Sequence, residues 1–186
     1  MMKGKVKMKI LAISDTHGEL GKVYEVYRSI KDVDMILHMG DYLRDAEDLN
    51  KRIDVPVIGV KGNCDGALRK EDCTEIVETE AGKILMTHGH VDGVNYDITN
   101  LVYRGMEEEA RIILFGHTHI PYLENTDDLM IMNPGSLTRP RDGSDGSYGI
   151  IEINGDSVHG EIIYYKKPYK AKGGYIKGLI NYSDRF

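Results

Sequence analysis

The stretch "KILAISDTH", residues 9–17, sets a short apolar run directly against the polar cluster Ser14, Asp15, Thr16 and His17. The run is too short for a core helix and reads as a buried strand. The same juxtaposition recurs downstream. "DMILHMG" ends at Gly40 and Asp41, "VPVIGV" precedes "GNCD" (Gly62 to Asp65), and "KILMTH" runs into "THGH" (Thr87 to His90). "RIILFG" then meets "GHTH" (Gly116 to His119), and "DLMIMN" meets "NPGS" (Asn133 to Ser136). A final pair, "SYGIIEI" and "SVHGEIIYY", completes the expected strands.

Helical spacing appears between strands. Leu20, Val23, Tyr24 and Tyr27 recur at that period, as do Leu43, Ala46, Leu49 and Ile53, and later Ile98, Leu101, Val102 and Met106. The second half carries turn signals instead: "EAGK" near Gly82, "NTDD" near Asp127 and "NGD" near Gly155. Alternating strands and helices followed by hairpins predict an α/β fold, parallel strands with antiparallel additions in two packed sheets with helices outside. No linker or repeat divides the chain, so residues 1–186 are expected to form one domain, with 166–186 a basic, glycine-containing tail.

At 186 residues the chain can bury roughly 70% of its unfolded surface without a disulfide or structural metal. Apolar residues make up 41% and charged residues 29%, and no run approaches the roughly 18 apolar residues of a membrane span. The stretch "ILAIS" after the basic N-terminus is too short for the roughly 7–15-residue core of a signal peptide. The expectation is therefore a cytoplasmic chain in which Cys64 and Cys73 are reduced. A net charge of −6 disfavours long nucleic acid as a partner while leaving room for a local phosphate site.

In open α/β sheets ligands bind beyond the carboxyl ends of strands, so loops distant in sequence can converge. These loops hold Asp15, His17, Asp41, Asn63, His88, His90, His117 and His119, and thus five of the seven histidines, His17, His88, His90, His117 and His119. Oxygen donors with imidazoles and no thiolate cage suit manganese, iron, nickel or zinc. Structural alternatives exist for each position taken singly. Asp15 and Asp41 could cap the helices that follow them, and Asn63 could occupy a turn. His117 and His119, one residue apart, would point to opposite sides of an extended strand. Gly116 offers a turn there. His38 and His159 lie inside strands, the first read as packed or supporting a ligand, the second as a surface residue.

With these residues in place the chain resembles the calcineurin-like metallophosphoesterases, in particular the small YfcE-type phosphodiesterase branch. The pattern D-x-H, GD, GN, H and GHxH is met in order by Asp15 and His17, Gly40 and Asp41, Gly62 and Asn63, His88, then Gly116, His117 and His119. The likeness spans roughly residues 8 to 164 and includes the "NPGS" loop. It implies a four-layer αββα sandwich, two mixed β-sheets flanked by helices, with two divalent metal ions, manganese foremost and nickel, iron or zinc as alternatives. The resemblance places Asp15, His17, Asp41 and His119 around one ion, and Asn63, His88 and His117 with the bridging Asp41 around the other. Two ions about 3.5–4 Å apart would hold a hydroxide that attacks a phosphoester in line.

The implied activity is metal-dependent phosphodiester hydrolysis on a small substrate, with Asn63 in a catalytic role and His90 supporting the ligands. Where many superfamily members carry histidine after the metal-binding asparagine, this chain has Cys64. A thiol with a reference pKa near 8.5 is a poorer proton donor to a leaving group at neutral pH than imidazole near 6.5. The substitution implies a preference for phosphodiesters over alkyl monoesters, unless Cys64 is only a small residue packed beside Asn63. Related folds also serve as interaction scaffolds with degraded metal sites, as in a retromer subunit, and the same centre suits a nuclease or cyclic-nucleotide phosphodiesterase. All seven expected ligand positions are filled here, which disfavours the scaffold. Arg139 and Arg141 face either the substrate or solvent, Asn133 and Ser136 shape the pocket without an assigned role, and homo-oligomerisation is a further implication of the resemblance.

Overall fold

A computed structural model describes residues 8–126 and 128–166. The expected tail beyond Lys166 lies outside the described residues. Strand β1 (Met8–Ile13) leads through helix α1 (Gly21–Ser29) to β2 (Met35–His38), and α2 (Leu43–Asn50) carries the chain to β3 (Val57–Gly59). The hairpin of β4 (Thr74–Thr79) and β5 (Gly82–Thr87) follows, then α3 (Thr99–Glu107) and β6 (Ala110–Leu114). Two further hairpins close the described fold, β7 (Tyr122–Asn125) with β8 (Met130–Asn133) and β9 (Ser147–Asn154) with β10 (Ser157–Tyr164).

The strands form two five-stranded mixed sheets, ordered β10-β9-β1-β2-β3 and β4-β5-β6-β8-β7. In the first, β1, β2 and β3 run parallel and β9 joins β1 antiparallel. In the second, β5, β6 and β8 run parallel, and β4 and β7 add antiparallel edges.

Alternation along each central strand builds the layers. On β1, Ile10 and Ala12 face the second sheet, where Ile84, Met86, Ile112 and Leu114 meet them. Leu11 and Ile13 face outward against Val23 and Val26 of α1 and Leu49 of α2. On the other sheet Leu85 and Ile113 turn outward to Leu101 of α3. Strands buried on both faces are continuously apolar, which is why they were short unbroken runs in the sequence. The result is the expected αββα sandwich, in which truncating one such residue, Leu85 for example, should cost about 2–5 kcal/mol.

Two strands were not anticipated. β4, "TEIVET", carries only Val77 in the buried core, and β7, "YLEN", is exposed at every position. Both are sheet edges with little apolar signal, although their hairpin turns were signalled. Leu20 and Ile53 lie just outside their helices, and Met106 is exposed although its period placed it on the buried face. His38 is fully buried and His159 exposed, as expected.

Candidate metal centre

The loops after β1, β2, β3, β5 and β6 meet at one end of the sandwich. Ligand atoms of Asp15, His17, Asp41 and His119 all lie within 4.8 Å of one another. His17 Nε2 is 3.3 Å from His119 Nε2 and 3.7 Å from Asp41 Oδ2, and His119 Nε2 is 3.4 Å from Asp15 Oδ1. Alongside, His88 Nε2 is 3.3 Å from Asp41 Oδ1 and 3.1 Å from Asn63 Oδ1. The His117 ring lies 5.1 Å from that of His88. The structure thus brings together all seven residues expected as ligands, with Asp41 between two groups of them.

Backbone carbonyls set the ring nitrogens. His119 Nδ1 donates to the Arg139 carbonyl at 2.6 Å and His88 Nδ1 donates to that of Met39 at 2.7 Å. In the neutral rings each Nε2 is then a lone pair turned toward oxygen lone pairs of Asp15, Asp41 or Asn63. Asp15 carries the same signature. Its Oδ2 accepts from Ser14 Oγ at 2.6 Å and from the His117 amide at 3.0 Å, whereas its Oδ1 is buried without a hydrogen-bond partner. A buried carboxylate oxygen without a donor, facing imidazole lone pairs, is satisfied by a cation, so these residues fit a divalent metal.

The same electrostatics shift the titrations. Burial raises the Asp15 pKa, but the close imidazoles of His119 and His88 and the Ser14 hydroxyl outweigh it and hold the carboxyl below its ordinary value. Burial disfavours a charged His119, yet Asp15 more than reverses that and raises it. His117, half-buried and beside His88, falls to about 4. His17 is lowered by burial against the opposing pull of Asp41 and Asp15.

Five of the seven candidate ligands hold left-handed backbone: Asp15 (φ 54°), His17 (47°), Asp41 (52°), His117 (68°) and His119 (59°). Such conformations cost a non-glycine residue of order 1–3 kcal/mol and persist where neighbours over-determine them. They also resolve the alternation of His117 and His119, because the segment is not extended. Gly116 was expected to supply that turn, but it is the histidines that adopt positive φ. Glycine at 116 serves close approach, since a Cβ there would meet Ser14 Oγ and, at 2.9 Å, Asp15 Oδ2.

Neither Asp15 nor Asp41 caps a helix. The residues before α1 and α2 are Leu20 and Tyr42, without side-chain capping bonds of their own. The missed residue is Asp65, whose Oδ1 accepts from the Leu43 amide at 2.9 Å and whose Oδ2 accepts from the Tyr42 amide at 3.0 Å and the Gly62 amide at 2.9 Å. Thr16 and Asp45 were missed as well. Thr16 Oγ1 donates to Asp45 Oδ2 at 2.6 Å and lies 2.8 Å from His38 Nε2, which makes the buried His38 a support of the D-x-H loop. A long sequence separation hides such a pair, and only Asp65, adjacent to "GNC", carried a positional hint.

Cys64 is exposed, with its amide 3.0 Å from Asp41 Oδ1 and its thiol donating to Asp41 Oδ2 at 3.2 Å. Partial burial and the Asp41 carboxylate push that thiol up to about 11. His90 donates from Nε2 to the Ala67 carbonyl at 2.7 Å, with its ring 5.1 Å from that of His88. Arg139 and Arg141 are exposed, Arg139 3.9 Å from Glu19.

Residues 8–156 match a family model described as the calcineurin-like phosphoesterase superfamily domain. "Probable metallophosphoesterase YsnB" of Bacillus subtilis (strain 168) is 36% identical over 155 residues, covering 81% of this chain and 88% of that protein. "Phosphodiesterase YfcE" of Escherichia coli (strain K12) is 28% identical over 170 residues, covering 78% and 88%. Among solved structures, a Streptococcus pneumoniae TIGR4 protein described as a predicted phosphoesterase superposes with a TM-score of 0.69 at 32% identity, covering 84% of this chain and 89% of that one.

Proposed function

Since the chain belongs to the calcineurin-like phosphoesterase superfamily, we propose that it is a phosphodiesterase acting on a small substrate at a binuclear divalent-metal centre. Asp15, His17, Asp41 and His119 would hold one ion, and Asn63, His88 and His117 with Asp41 the other. The observation that carries this reading is the orphaned, buried Asp15 Oδ1 among inward-turned imidazole nitrogens. Manganese is the favoured metal, with nickel, iron or zinc accommodated by the same donors. Bound ions of this kind supply positive charge for phosphoryl oxygens and lower the pKa of water toward neutrality.

The chain's own residues define the rest. Asp41, accepting from both the amide and the thiol of Cys64, is fixed between the two groups of ligands. The raised Cys64 thiol stays protonated at neutral pH and is a weak acid toward a departing alkoxide, which favours esters whose leaving group departs without a proton. His90 buttresses His88, and the exposed Arg139 and Arg141 border the centre. A single-domain chain in the cytoplasm with reduced thiols belongs to the same proposal; among the described residues no helix is long and apolar enough to cross a membrane.

The deciding experiment is metal analysis followed by metal-dependent hydrolysis of matched phosphomonoesters, phosphodiesters and cyclic nucleotides. Metal-stimulated cleavage with diesters ahead of alkyl monoesters is expected. No stimulated activity on any ester would favour a scaffold instead.

A further inference from the structure

The left-handed ligands need external support, and much of it comes from one segment. The crossover from β8 in the second sheet to β9 in the first passes directly behind the cluster. Ser136, fully buried, donates from Oγ to the Asp15 carbonyl at 2.9 Å and accepts from the Thr138 and Arg139 amides at 3.2 and 2.9 Å. Thr138 Oγ1 lies 3.1 Å from both the Asp15 and Thr16 carbonyls. That turn presents the Arg139 carbonyl to His119 Nδ1, and the Arg141 amide donates to the His119 carbonyl at 3.1 Å. Asn133, also fully buried, donates to the Gly116 carbonyl at 2.8 Å.

Asp15 and His17 extend from the first sheet, His119 from the second. A segment that bonds to both loops therefore fixes the distance between ligands contributed by different sheets. We infer that the β8–β9 crossover is the positioning element of this centre, with Ser136 and Thr138 as positioning residues for the ion that Asp15, His17 and His119 would share. The inference rests on the proposed metal centre. Among the described residues neither Ser136 nor Thr138 bonds to Asn63, His88 or His117, so the effect should be selective. Residues that orient ligands typically govern affinity by 10–100-fold.

The test is Mn2+ titration calorimetry on the full chain, in His88→Ala and His119→Ala backgrounds that each retain one group of ligands. Ser136→Ala and the near-isosteric Thr138→Val should each weaken Mn2+ by about 10-fold or more in the His88→Ala background and by less than about 3-fold in the His119→Ala background. Ser147→Ala is the control. Ser147 is buried and bonds to the Pro134 carbonyl of the same crossover, so it reports a purely structural effect. Melting of each metal-free variant establishes folding, and Thr138→Val carries the test if Ser136→Ala fails to fold. Equal weakening in both backgrounds, unchanged affinity in both, or an effect of Ser147→Ala equal to that of Ser136→Ala would overturn the inference. A wild-type chain binding one ion, lost in His119→Ala, would remove the second ion of the proposed function while the crossover is still read on the first. A wild-type chain binding none would overturn both.

Discussion

His88 Nε2 sits 3.3 Å from Asp41 Oδ1 while its Nδ1 donates to the Met39 carbonyl at 2.7 Å, so a ring carried by the second sheet is anchored to the loop after β2 of the first sheet and addresses the carboxylate of that same loop. Asp41 also approaches His17, at 3.7 Å through its other oxygen. A residue shared by both groups and one confined to a single group should behave differently on removal. Asp41→Ala is expected to lose both ions, and His88→Ala to weaken mainly one. Bound-metal analysis with calorimetry checks this, and equal losses in both variants would show the division of ligands to be wrong.

Metal-free protein should lose thermal stability on mild acidification. Burial lowers the pKa of His17, His38 and His117, the last to about 4. Between those folded values and about 6.5 the unfolded chain binds more protons, so stability rises with pH across that window and is lost as pH falls through it. His119, raised by Asp15, acts oppositely: its contribution is present below about 6.5 and lost as pH rises through the folded value. Three lowered histidines against one raised predict a lower melting temperature at pH 5 than at pH 7 in chelator. His117→Asn should flatten the dependence. A midpoint that climbs on acidification would mean that the Asp15–His119 pair dominates.

Asp65 is predicted to stabilise α2 and the Asp41 loop together. One carboxylate accepts from the amides of Tyr42, Leu43 and Gly62, and Tyr42 itself holds a left-handed φ of 75°. Losing a helix cap usually costs about 0.5–2 kcal/mol, and here two further loop amides lose their acceptor. Asp65→Ala should therefore lower the midpoint by roughly 4–8 °C, given about 2–4 °C per kcal/mol for a chain of this size. Asp65→Asn, which keeps one oxygen acceptor, should fall between. A shift under about 1 °C would show that water replaces these bonds.

The central strands and the ligand loops were legible because both leave local signals. An apolar run such as "KILAI" is buried on both faces, and a ligand cluster sits at its carboxyl end. The edge strands β4 and β7 have no such signature, since an edge does not require a continuous apolar run. The conformations of His117 and His119 were likewise hidden. Local pattern suggested a turn at Gly116, whereas the left-handed backbone is imposed on the histidines by contacts with residues far off in sequence. Supports such as Asp45 for Thr16, or Ser136 for Asp15, follow from topology and have no sequence spacing to betray them.

Cys64 is predicted to set the dependence of hydrolysis on the leaving group. Its thiol is held protonated against Asp41 and pushed up to about 11, so it neither resembles an available thiolate ligand nor matches the proton demand of a departing alkoxide near neutral pH. An imidazole, with a reference pKa near 6.5, is a stronger acid than this thiol and at this exposed position could protonate that oxygen. Cys64→His should raise kcat/KM for alkyl leaving groups by roughly tenfold or more while changing nitrophenyl esters by about threefold or less, since general acid catalysis helps most where the leaving group is most basic. The measurement is a series of diesters with one spectator group and graded leaving-group pKa, at matched metal content. A parallel shift of the whole series would mean that the substitution alters binding or the metal site. An unchanged slope with unchanged rates would reduce Cys64 to a small residue packed beside Asn63.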